Sequence, residues 1–126
     1  FKVVAVMDWE MAALGDPLMD LANSLAYWVH ADDSPALQAM KKQPSDAPGM
    51  MRREEIIAYY GEQTGFDISK WDFYEVYGYW RLVGILQQLY FRYQSKQTQD
   101  KRFALYGQMV VHLGDYCRQL ISASKL

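Results

Sequence analysis

Apolar residues along this chain recur with two different periods, and the change of period falls near residue 16. The opening run Phe1-Lys2-Val3-Val4-Ala5-Val6-Met7 is short and β-branched, which predicts a buried strand, or one arm of a hairpin. Asp16 followed by Pro17 reads as a helix N-cap and a favoured first-turn residue. Leu18, Leu21, Ala22, Leu25 and Trp28 then step by three and four, predicting a first helix over about 17–29. Residues 30–50 contain Asp32-Asp33-Ser34-Pro35 and Gln43-Pro44-Ser45-Asp46-Ala47-Pro48-Gly49. Breakers dominate there, so a long loop with at most one short helical turn is expected, and with it the chain's greatest tendency to disorder. A second helix over about 51–63 turns Ile56, Ile57, Tyr59 and Tyr60 inward and ends at Gly65. Ser69-Lys70-Trp71-Asp72 has the wording of a capping box and opens a third helix reaching about 94. Phe73, Val76, Tyr77, Trp80, Val83, Gly84, Leu86 and Leu89 step by three and four along it and predict heavy burial. After a polar turn, the last helix, over about 100–122, presents Phe103, Tyr106, Val110, Leu113, Cys117 and Leu120 as one stripe.

Composition fits a single unit. The chain has 126 residues, 51% hydrophobic and 15% aromatic, enough for one core but below the size of a two-lobed enzyme. With no internal repeat or second boundary, the expected architecture is one mainly α domain, 1–15 as strand and loop and 16–126 as a helical subdomain. A net charge of -2 with dispersed Lys and Arg gives no basic field for nucleic acid. Cys117 is the single cysteine, which excludes an internal disulfide and is compatible with a reducing compartment. No apolar run reaches about twenty residues and the start lacks signal-peptide features, so no membrane association is expected and a cytoplasmic location is.

Four acids, Asp8, Glu10, Asp16 and Asp20, fall within the first twenty residues. Asp8 follows the predicted strand, where backbone can hold a carboxylate toward a cation, although a strand-end Asp alone is more often a turn former or cap. The wider wording, V-A-V-M-D-W-E-x4-G-D-P-x2-D-L-A over residues 3–22, resembles the aminoglycoside phosphotransferase-like family, which has the protein-kinase-like fold. That resemblance implies an ATP-dependent phosphotransferase acting on an alcohol group, with Mg2+ as cofactor. It implies that Asp8 stands where the acid of the kinase D-F-G triplet binds the magnesium ion that bridges the nucleotide phosphates. Magnesium takes one or two carboxylates besides phosphate and water, which suits a short, stiff Asp. Glu10 alternates onto the same side as Asp8 and is read as a second cofactor-binding acid, or as a hydrogen-bonding group for a catalytic loop. The resemblance covers essentially the whole chain, but its specific motif lies in the first 22 residues.

The Gly-rich phosphate loop, the strand Lys and the H-G-D-x4-N catalytic loop of such enzymes do not occur in the sequence. Together with a start in mid-strand at Phe1, this leads to the expectation of the C-terminal lobe portion of a kinase-like fold. Its partners would then be an N-terminal lobe of the same polypeptide and a small-molecule hydroxyl acceptor. The fragment would be inactive alone and prone to self-association through the face that the missing lobe covers.

Three further residues read as structural support. Asp16 is a cap. Asp20 follows one turn later beside Leu21 and Ala22, is expected to be buried and in need of donors or a cation, and by resemblance braces the catalytic loop. Arg81 lies in a stretch otherwise free of charge from Val76 to Tyr90. Its plainer reading is a buried guanidinium paired with an acid such as Asp20, and its functional one is a clamp for a substrate anion. His30 and His112 have no companion at metal-ligand spacing, which argues against zinc or di-iron chemistry. The alternative to the phosphotransferase is a non-catalytic helical interaction module or a pseudokinase remnant, which would have no use for Asp8 and Glu10 together.

Overall fold

A computed structural model describes residues 2–124. Five α-helices follow one another: α1 (Pro17–Leu25), α2 (Pro35–Met40), α3 (Arg53–Thr64), α4 (Trp71–Gln94) and α5 (Tyr106–Ala123), with 3-10 turns at Trp9–Met11 and Lys101–Leu105. Among the described residues there is no strand, and no helix is long and apolar enough to cross a membrane. The mainly α class is as read from the periodicity. The strand expected over 1–7 is not formed by its described residues: Val3, Val4 and Val6 are 81%, 92% and 63% exposed. A strand exists through its ladder partner, and among the described residues none is formed.

The long α4 organises the rest. It runs parallel to α1, since Asp16 meets Tyr74 and Ala22 meets Gly78. It runs antiparallel to α5, since Tyr79 meets Tyr116 and Tyr90 meets Gly107. Gly78 permits the first contact, because a Cβ there would lie 2.4 Å from the carbonyl oxygen of Ala22. Tyr79 and Tyr116 pack edge to face with ring centroids 5.0 Å apart. The core joins Ala26, Val29, Leu37, Tyr79, Leu82, Val83, Leu86, Leu113 and Cys117. The last helix, expected from about 100, begins only at Tyr106, and Phe103 lies half-buried in the 3-10 turn before it; the rest of the stripe is as expected, with Leu113 and Cys117 buried and Tyr106, Val110 and Leu120 half-buried.

Several expectations need correction. α1 stops at Leu25 and its continuation becomes tight turns. Residues 30–50, expected to tend to disorder, are pinned by the buried Leu37, by Ser45 donating to the Val29 carbonyl at 2.7 Å, and by the Ser34 to His112 bond at 3.1 Å. Tyr59 is exposed while Ile56, Ile57 and Tyr60 are half-buried, and α3 ends at Gly65 in the left-handed region, φ 73°. The Ser69 capping box does not form: the N-cap is Lys70, and the Ser69 amide instead donates to Asp67 at 2.9 Å. Phe73 and Trp80 face solvent, so α4 is less buried than its apolar count suggests.

Candidate functional site

Asp8 sits at the start of the Trp9–Met11 turn with φ 73° and ψ 43°. Asp is among the few side chains that enter this left-handed region readily, because its short polar arm can be accommodated locally. The turn is braced by the Trp9 indole donating to the Val6 carbonyl at 2.7 Å and by the Ala12 amide donating to the Trp9 carbonyl at 3.0 Å. Neither braces the acid itself. Asp8 makes no side-chain capping bond, and both it and Glu10 are exposed and without a hydrogen-bond or ion-pair partner among the described residues. Two carboxylates are thus presented from one turn, free to take a ligand.

No group of three or more His, Cys, Asp or Glu able to hold a metal ion exists among the described residues. An ion here would lean on one or two carboxylates, with water and phosphate completing its shell, which is the habit of magnesium and not of calcium or zinc. Asp8 and Glu10 offer hard oxygen donors, the type that magnesium takes, from two carboxylates at most.

Asp16 holds two elements together. Its Oδ1 accepts from the Leu18 amide at 2.9 Å, capping α1, and its Oδ2 accepts from the Tyr74 hydroxyl at 2.8 Å, tying α1 to α4. That bond keeps the Tyr74 phenol above its usual range. Asp20, expected to be buried, is exposed. Asp16, Asp20 and Ser24 recur every four residues on the wet side of α1, opposite Leu18, Ala22 and Leu25. Arg81, expected to pair with Asp20 in the interior, is exposed and forms no ion pair among the described residues. It lies near enough to Tyr27 to favour the phenolate there, against the larger opposing effect of burial. Asp8 and Glu10 therefore share a turn, Asp16 and Asp20 share a helix face, and Arg81 joins neither pair.

The buried polar centre lies elsewhere and escaped the sequence reading. Arg53 makes a two-pronged ion pair with Asp33, 2.9 and 2.5 Å, and a third bond to the Trp28 carbonyl at 2.7 Å. Burial works to raise the Asp33 carboxyl, but the bonds from Arg53 and the His30 amide overcome it and hold it below the usual range. Burial raises the nearby Glu75 carboxyl and the Tyr79 phenol, whose hydroxyl has no hydrogen-bond partner among the described residues. The available signal was the matching dipeptides Asp32-Asp33 and Arg52-Arg53, since Arg52 also pairs with Asp32 at 2.9 Å.

Residues 1–64, from the opening segment to the end of α3, match the phosphotransferase enzyme family. The chain belongs to that family. It is 30% identical to human acyl-CoA dehydrogenase family member 11 over 122 residues, which cover 94% of this chain and 15% of that protein. It is 35% identical to mouse acyl-CoA dehydrogenase family member 10 over 99 residues, 77% of this chain and 9% of that protein. The chain thus spans a small part of the length of these relatives. No solved structure matches it. Asp8, Glu10, Asp16 and Asp20 all lie within the family match, and Arg81 lies beyond it.

Proposed function

We propose that this chain supplies the magnesium-binding acid and one wall of the acceptor site of an ATP-dependent phosphotransferase that acts on a small-molecule alcohol. The observation that carries the reading is the Asp8 turn: an unengaged carboxylate, beside a second at Glu10, inside the segment shared with the family. Magnesium held there would neutralise charge on the nucleotide phosphates. The chain's own contribution is positional. The 3-10 turn presents Asp8, and Asp16, eight residues on, fastens the following helix to α4. Asp20, exposed and unpaired among the described residues, is available to brace an upstream catalytic loop. The names of the relatives make a hydroxyacyl thioester the first acceptor to assay.

The test is Asp8→Asn in the full-length protein, read by transfer of the ATP γ-phosphate and by circular dichroism. The amide keeps size and removes the charge, so turnover should fall about a hundredfold or more while the helical signal stays unchanged. Near-normal turnover would end the metal-ligand assignment. The phosphate loop, strand Lys and catalytic base being absent from the sequence, the 126-residue chain alone should transfer no phosphate.

A further inference from the structure

A mainly apolar hollow lies away from the Asp8 turn, between α2, α4, α5 and the 3-10 turn that precedes α5. It has a volume of about 400 Å³, and its wall includes Met40, Ile85, Leu86, Leu89, Leu105 and Met109. That volume is in the range of small-molecule sites. Its wall is mainly aliphatic and sulfur-containing, with two tyrosines and no lining carboxylate or amide, which suits an unbranched hydrocarbon.

Its edge carries two cations, Lys42 and Arg102, both exposed. Arg102 is paired with Asp100 at 2.5 Å, and Lys42 is close enough to help hold that carboxyl below its usual range. Two positive charges against one negative leave the rim net positive. Tyr27 and Tyr106 border the same hollow. An occupant matching both features has a hydrocarbon tail and an anionic head at the water boundary.

We propose that this hollow is a binding site for a free aliphatic anion, a straight hydrocarbon chain ending in a carboxylate or phosphate. The tail lies between α4 and α5, and the head sits between Lys42 and Arg102. This site is independent of the phosphotransfer reading and stands or falls without it.

Calorimetric titration of the 126-residue chain with decanoate, decanol and decyltrimethylammonium, each below its micellar concentration, tests it. Decanoate should bind most tightly and the cationic amphiphile least. Affinity should rise about fourfold for each methylene from hexanoate to decanoate, the increment expected for burying a CH2 group. Ile85→Trp, at a partly exposed position where a larger ring enters the hollow, should weaken decanoate about tenfold or more. Lys42→Glu, at an exposed position with no bonded partner among the described residues, should weaken it about threefold to tenfold and leave decanol unchanged. Should Ile85→Trp lose its helical circular dichroism, Lys42→Glu carries the test of location alone. The proposal is overturned by equal binding of the cationic and anionic amphiphiles, by unchanged affinity in both variants, or by no binding of decanoate. Co-sedimentation with anionic phospholipid vesicles in place of uptake of the free amphiphile would overturn it in favour of a membrane surface.

Discussion

At the scale of single residues, charge pairing decides which side chains matter to stability, and the sequence showed it only in part. Asp16 announced itself because an acid before a proline is a local signal, readable without knowledge of the fold. The Asp33 pair with Arg53 depends on residues twenty apart meeting across a loop, which local pattern does not encode. Both side chains are largely buried, at 16% and 10% exposure, so removing one partner leaves an uncompensated charge. Asp33→Asn should therefore lower stability at neutral pH by about 3 kcal/mol. The folded-state carboxyl lies below its unfolded value, so its contribution is fully present above about pH 4 and is lost as pH falls through the lower folded value. Chemical denaturation from pH 7 down to pH 2 should show wild-type stability declining over that acid range. In Asp33→Asn the same curve should be distinctly flatter. Parallel curves would show that Asp33 is not the group whose protonation weakens the fold.

At the scale of elements, four of the five helices lay close to where periodicity put them, because a stripe of apolar residues is a property of the segment itself. What failed were features that need a second element. The opening run has the residues of a strand but no ladder partner among the described residues. Trp80 and Arg81 stand next to each other on the outer side of α4, whereas Tyr79, Leu82, Val83 and Leu86 are buried, so a stretch free of other charge is not a buried one: it spans both sides of the helix. The α1 and α4 packing rests on a single hydrogen atom in place of a side chain, and Gly84 on the same helix meets nothing within 4 Å. Gly78→Ala should force the helices apart against backbone, which cannot rotate away, and destabilise by about 2 kcal/mol or more. Gly84→Ala, in open space at an exposed position of the same helix, should stabilise by about 0.5–1 kcal/mol through helix propensity. Urea unfolding of the two variants measures both. A Gly78→Ala protein as stable as wild type would mean that α1 and α4 are not in direct backbone contact.

At the scale of the whole molecule, the candidate phosphotransfer acids and the packed core occupy different parts of the chain. Residues 2–10 and 12–15 are exposed, and the first anchor to the helical body is Asp16 with its bonds to Leu18 and Tyr74. The opening segment therefore adds little to the stability of the body while displaying Val3, Val4, Met7, Trp9 and Leu14 to water. An apolar surface of this kind favours association with whatever can cover it, a second copy in the isolated chain or a neighbouring lobe in a longer protein. Removing residues 1–14 should then leave the melting temperature within about 3 °C of the parent, since a change of one kcal/mol would move it by more. The same truncation should reduce self-association, measured by sedimentation across a concentration series, because it removes the exposed apolar segment and leaves the Asp16 cap in place. A large fall in melting temperature would show that the segment packs on the helices. An unchanged association constant would instead place the sticky surface on α4, where Phe73, Trp80 and Phe91 are exposed.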